Sequence, residues 1–344
     1  MQSYLFKFYI TIDGGNFFIF AAYSCIFIKK NKKSLKIYRS LDEFPKLNHP
    51  VVTLGTFDGV HIGHKSLITR MGAIARAHHG ETVLLTFHPH PRIVLHGDEE
   101  LHLLQTEDEK IDSLLKAGID YLIICPFTKE FAALSSEEFV DQVLVKALGT
   151  RTLVIGFNHQ FGKNREGSFA SLQKLAPNKG FDLVEIEEKS FNEKSVSSTK
   201  IRNALLAGDV ELAASGLGYM YSLKGRVEEG AHLGHTIGFP TANIHMADKH
   251  KLIPADGVYA VHVKCGWRIY KGMMNIGYRP TVFGKSRTIE AHIIDFDKQI
   301  YGEEITVFFK SKIRDEIKFS NLVELKQQLE MDRTHTINLL SRRK

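Results

Sequence analysis

The sequence predicts a doubly wound α/β domain followed by a small antiparallel β-barrel and a closing helix. Three observations predict it. Short, non-alternating apolar runs begin at Val51, Thr82, Asp120, Thr152 and Phe181, roughly 30–40 residues apart. That is the spacing of strand–helix–strand units whose strands are buried on both faces. Beyond about residue 218 apolar and polar residues alternate, as in Tyr259, Val261, Val263 and in Ile289, Ala291, Ile293, with glycines between the runs, the texture of an antiparallel barrel. From Ser320 to Leu340 the apolar residues Leu322, Leu325, Leu329 and Ile337 return to a helical period.

Each element follows from local signals. Capping boxes at Thr106 with Glu109 and Ser135 with Glu138 open helices between the predicted strands. The domain boundary is expected between Ser190 and Leu217, giving one domain over residues 35–205 and a second over 218–344. Residues 1–34 are expected to stand apart from both, as an extension that is disordered or not native. Their apolar run FFIFAAYSCIFI is too short to span a bilayer, and its lysines follow it instead of preceding it as in a secretory signal.

Composition excludes several classes. With 43% hydrophobic, 24% charged and 10% aromatic residues the chain of 344 residues reads as globular. Cys25, Cys125 and Cys265 are far apart and odd in number, which argues for a reducing compartment and a cytoplasmic location. The net charge is +6, but residues 1–34 hold five lysines against one aspartate, leaving the remainder near neutral. A near-neutral body argues against a nucleic-acid surface, and no stable membrane insertion is expected; self-association is left open.

Two segments carry chemistry. After the first apolar run comes Gly55-Thr56-Phe57-Asp58-Gly59-Val60-His61-Ile62-Gly63-His64. Its glycines allow backbone to approach a ligand, and a helix starting near His61 would offer free N–H groups to a phosphate. His61 and His64, at i and i+3, share one face of that turn, where they can donate hydrogen bonds to a triphosphate; a zinc pair and two surface histidines are the alternatives. In the second half Gly225, Gly230, Gly234 and Gly238 precede Pro240-Thr241-Ala242-Asn243, a loop able to wrap phosphates without the ending of a P-loop. Thr241 and Asn243 would share one face of a strand and offer hard oxygens suited to Mg²⁺. Glu290 lies opposite Ile289 and Ile293 in its run, where a carboxylate is ordinarily solvated.

These strings resemble the bacterial bifunctional riboflavin kinase/FAD synthetases. The first resembles the motif of their nucleotidyltransferase half, a Rossmann-like domain, together with Thr86-Phe87-His88-Pro89-His90-Pro91, Ile155 to Gly167, and Ser197-Ser198-Thr199-Lys200-Ile201-Arg202. The strings Gly238 to Ile244, Pro254 to Tyr259, Asn275 to Thr281 and Glu290 to Phe296 resemble the riboflavin kinase half. The resemblance implies phosphorylation of riboflavin by ATP to FMN, then adenylylation of FMN by ATP to FAD and pyrophosphate. It implies Glu290, His61 and His64 as catalytic and Thr241 and Asn243 as holding Mg²⁺ with ATP. The nucleotide-binding residues it implies are Gly55, Phe57, Asp58, Gly63, Asn158, Arg165, Ser198, Thr199, Arg202, Gly225, Gly230, Gly234, Gly238 and Asn275. Asn158 and His159 depart from the commoner Asp-Phe. A chain that is chiefly a riboflavin kinase is therefore the competing expectation, and a nucleic-acid-binding protein the competitor from another class.

Overall fold

A computed structural model describes residues 34–97, 101–156, 160–163, 166–186, 190–191, 194–230, 233–281 and 284–341. Residues 1–33, Asn158, His159 and Arg165 lie outside them.

The first half alternates strands and helices. In order they are β1 (Lys36–Tyr38), β2 (Pro50–Leu54), α1 (Ile62–Ala77), β3 (Glu81–His88), α2 (Pro91–His96), α3 (Glu107–Ala117), β4 (Tyr121–Pro126), α4 (Lys129–Ala132) and α5 (Ser136–Phe139). A π-helical segment continues over Val140–Ala147, followed by β5 (Thr152–Gly156), α6 (Phe169–Lys179) and β6 (Asp182–Ile186). The six strands form one sheet in the order β1-β4-β3-β2-β5-β6, and every pair is parallel. Val52, Val83, Leu85 and Ile123 pack on one face and Val51, Leu84, Leu122 and Val154 on the other, so the central strands are apolar without alternation. Both capping boxes form. The short edge strand β1 escapes the sequence pattern because only three residues pair with β4 and two of their side chains are exposed.

A two-stranded hairpin of β7 (Ser190–Phe191) and β8 (Lys194–Ser195) leads to α7 (Ser198–Leu206) and α8 (Val210–Leu217). Then come β9 (Ser222–Glu228), α9 (Leu233–Thr236), β10 (Ala242–His245), β11 (Gly257–Cys265), β12 (Arg268–Thr281), β13 (Gly284–Ile293), β14 (Glu304–Arg314) and α10 (Leu322–Ser341). The six strands close a barrel in the order β10-β13-β12-β11-β14-β9. Its interior holds Tyr259, Val261, Val263, Ala291 and Phe309. The same cluster takes in Ile201, Leu205 and Leu217 of α7 and α8, so the helices after the hairpin cap the barrel.

The closing helix forms where its period predicts, but not with the expected face. Leu322 is exposed, and the buried residues are Asp332 and Thr336. An ion pair explains this: Arg314 of β14 donates from Nη2 to Asp332 Oδ2 at 2.8 Å, and Gln328 Nε2 donates to Oδ1 at 2.9 Å. A buried carboxylate satisfied by these donors, instead of a leucine stripe, turns the helix onto the barrel.

Candidate active sites

The first site lies at the carboxyl ends of the parallel strands, where open α/β sheets bind ligands. The loop after β2 adopts conformations that side chains rarely accept: φ is +155° at Gly55, +48° at Phe57, +86° at Gly59 and +34° at Val60. Such residues persist only where their surroundings hold them, and here five hydrogen bonds do. Asp58 is buried, and its carboxylate accepts from the backbone N–H of Leu104 at 2.9 Å and of Gln105 at 3.2 Å. Arg202 Nη2 donates to its Oδ2 at 2.8 Å. Ser198 Oγ donates to the Asp58 carbonyl at 2.9 Å, and Tyr219 OH to that of Gly59 at 2.6 Å. Asp58, Ser198 and Arg202 are thus fastened to one another, and Thr199 sits exposed on the first turn of α7.

His61 is the N-cap of α1, its Nδ1 accepting from the His64 N–H at 3.4 Å, which leaves the ring proton on Nε2. The two imidazoles stack with centroids 3.7 Å apart, and Phe57, buried, lies 4.7 Å from His64. A side chain at Gly63 would press on the His61 ring; the glycine between the histidines makes the stack possible. Burial pushes the pKa of His61 down to about 4 and that of His64 well below the ordinary histidine value. Both rings are therefore neutral donors at pH 7. The Nδ1 of His64 is buried with no hydrogen-bond partner, as is the Nε of Arg202 beside Asp58. Among the described residues no three His, Cys, Asp or Glu side chains converge as a metal site.

Sequence reasoning missed two nitrogen-bearing side chains that stand nearby, one neutral and one cationic. His90, within the quoted Thr86–Pro91 string, caps α2 and is held neutral by burial, its pKa pushed down to about 4. Lys110 reaches from α3 to Thr86 Oγ1 at 3.3 Å. Lys110 follows Glu107, Asp108 and Glu109, and in that company reads as an ordinary helix-surface charge.

The second site is on the barrel wall. Asn243 of β10, Glu290 of β13 and Asn275 of β12 are in register across three neighbouring strands, so their side chains leave one face as a row. Glu290 is buried, and Thr241 Oγ1 donates to its Oε2 at 3.4 Å. A cavity of about 600 Å³ opens beside them, lined by Gly230, Gly234, Thr241, Asn243, Phe296 and Tyr301. A Cβ at Gly230 would overlap the Asn243 amide, and one at Gly234 would overlap the Phe239 carbonyl. These two glycines keep the loop backbone close to the Thr and Asn. Gly238 takes φ +84° at the turn into β10. Gly225 stands apart, inside β9, where a Cβ would overlap Ile244 and the His245 carbonyl; what it secures is strand packing.

The FAD synthetase family pattern matches residues 44–200 and the riboflavin kinase pattern residues 217–340. A bifunctional riboflavin kinase/FMN adenylyltransferase from Escherichia coli (strain K12) is 38% identical over 82% of this chain and 90% of its own length. The chain belongs to the bifunctional riboflavin kinase/FMN adenylyltransferase family. Its relative from Listeria monocytogenes is also 38% identical, over 86% of this chain and 93% of the relative. A crystal structure described as a macrolide-efflux protein from Streptococcus pneumoniae matches with a TM-score of 0.81 at 32% identity, covering 88% of this chain and 99% of that one. That description belongs to the streptococcal chain. Among the described residues no helix is long and apolar enough to cross a membrane. As a bifunctional riboflavin kinase/FMN adenylyltransferase the chain uses ATP and riboflavin, makes FMN, and converts FMN to FAD.

Proposed function

We propose that the two activities divide between the two sites, with phosphorylation on the barrel and adenylylation at the strand ends, in domains spanning residues 35–205 and 218–344. The observation that carries this reading is the row Asn243–Glu290–Asn275 beside the glycine-lined cavity, separate from the stacked histidines at the head of α1. Glu290 takes the proton of the ribityl 5′-hydroxyl as that oxygen attacks the γ-phosphorus of ATP and ADP leaves with the bridging oxygen; a hydroxyl un-ionised at pH 7 needs such a base. Gly230 and Gly234 bring backbone to the phosphates, and Gly238 sets the turn that delivers Thr241.

Mg²⁺ fits this site. Thr241 and Asn243 offer hard oxygens at the mouth of the cavity, and a Mg²⁺ that keeps several waters and binds ATP phosphates needs only one or two protein ligands. When bound there it would supply charge neutralisation on the transferring phosphoryl group.

At the strand ends the FMN phosphate attacks the α-phosphorus and pyrophosphate leaves. The attacking phosphate is already largely dianionic at pH 7. His61 and His64 donate hydrogen bonds to the departing oxygens, and the N-terminus of α1 adds its dipole. Asp58 acts through others, fixing Arg202 and the loop that sets both histidines. Ser198 and Thr199 open α7 beside them, and Asn158 and Arg165 complete the nucleotide-binding set. In this reading the enzyme works in the cytoplasm on small molecules, with neither nucleic acid nor membrane as a partner.

The test is Glu290→Gln. FMN formation from riboflavin is expected to fall by about 10²-fold or more, as on loss of a general base, while conversion of supplied FMN to FAD stays near wild type. Loss of FMN-to-FAD conversion in a folded variant contradicts the division.

A further inference from the structure

Lys110 has a position that the family motifs do not explain. Its Nζ donates to Thr86 Oγ1 at 3.3 Å and lies 3.5 Å from the Thr56 carbonyl. Thr86 lies in β3 two residues before its end at His88, and Thr56 is in the loop after β2, so the ammonium stands in the crevice near the strand ends. Its carboxylate neighbours are already engaged. Asp58 is paired with Arg202 at 2.8 Å, and Glu107 with Arg39 at 2.6 Å. Among the described residues no carboxylate lies within 4.0 Å of Lys110. The imidazoles that share the crevice, His61, His64 and His90, are neutral at pH 7. Burial lowers the pKa of Lys110 itself, against the pull of Asp58 and Glu107. The crevice thus holds a desolvated cation whose acceptors are a hydroxyl and a carbonyl, an arrangement completed by an incoming anion.

The reaction brings two anions, and geometry separates them. In-line displacement places the entering and leaving oxygens on opposite sides of the phosphorus. The leaving pyrophosphate falls to His61, His64 and the head of α1. Lys110 comes from a different helix and crosses the ends of two strands to its place. We propose that Lys110 binds the phosphate of FMN and holds it for attack on the α-phosphorus of ATP. A phosphate oxygen forms the new bond to the α-phosphorus, the bond to the bridging oxygen breaks, and pyrophosphate leaves with that electron pair. Lys110 keeps its proton throughout and offsets the repulsion between two polyanions. The proposal rests on adenylylation occurring beside His61 and His64.

The experiment uses the full chain with Lys110→Met, Lys110→Arg and His64→Ala. Steady-state FMN adenylylation is measured with FMN and ATP varied separately, and riboflavin phosphorylation is measured on the same preparations. A charge-assisted hydrogen bond to the acceptor phosphate predicts a KM for FMN raised about tenfold or more in Lys110→Met, with partial recovery in Lys110→Arg. The KM for ATP and riboflavin phosphorylation are expected to stay near wild type. An unchanged KM for FMN, or a rise confined to ATP, overturns the proposal. Should Lys110→Met lose both activities, Lys110→Arg decides: a raised KM for FMN with normal phosphorylation supports it, and wild-type kinetics overturn it. His64→Ala tests the underlying site separately, since full adenylylation in that variant overturns the site whatever Lys110 does.

Discussion

At the scale of single residues, the stacked pair His61–His64 works because it is buried and uncharged. An imidazolium here would face its neighbour with centroids 3.7 Å apart and little water between. The consequence is a pH dependence of stability. Folding lowers the pKa of His61 and of His90 from 6.5 to about 4, so below pH 6.5 the unfolded chain binds protons that the folded chain refuses. The stability these groups allow is complete above about pH 6.5 and is lost as the pH falls toward about 4. Urea denaturation at a series of pH values is expected to show midpoints falling through this window, and a shallower fall in His61→Gln. A midpoint that stays level from pH 7 to 4 contradicts the burial of these rings.

At the scale of elements, the proposed division of sites separates the glycines that would serve a ligand from those that serve packing. Gly230 belongs to the first group: its missing Cβ is the space the Asn243 amide occupies. Gly230→Ala is expected to raise the KM of the kinase for ATP by about tenfold or more, in line with the loss of a charge-assisted contact, and to leave adenylylation unchanged; separate assays of the two half-reactions check it. Gly225 belongs to the second group, and the difference was not legible in the sequence, because both precede the same Pro-Thr-Ala-Asn segment. What was legible followed from regular physical patterns. The buried strands β2, β3, β4 and β5 declared themselves by their apolar runs, β6 by its spacing although none of its residues is buried, and the caps at Thr106 and Ser135 by their Glu partners three residues on. The strand β1 was hidden by its brevity. The seating of α10 was hidden because its anchor is an ion pair, Arg314–Asp332, whose partners are eighteen residues apart, a separation that leaves no periodic trace. Lys110 was hidden for the same reason: its role depends on Thr56 and Thr86, which only the fold brings to it.

At the scale of the whole molecule, the sheet and the barrel are joined by more than the connecting helices. Lys251, between β10 and β11, is buried; its Nζ donates to the Leu104 carbonyl at 2.8 Å and pairs with Glu109 at 2.5 Å. Leu104 is the residue whose N–H holds Asp58. A residue of the barrel half thus braces the loop that orders the proposed adenylylation site, while the groups proposed to react in the two halves stay on different elements. Two chemistries in one chain, each with its own groups, is the central claim, and complementation between variants tests it most directly. Riboflavin, ATP and Mg²⁺ are incubated with Glu290→Gln, with His64→Ala, and with an equimolar mixture, and FMN and FAD are followed by chromatography. Glu290→Gln alone is expected to form neither product and His64→Ala to stop at FMN, while the mixture makes FAD by passing FMN between chains. A folded His64→Ala that forms no FMN, or a mixture that makes no FAD from supplied FMN, contradicts two separate sites.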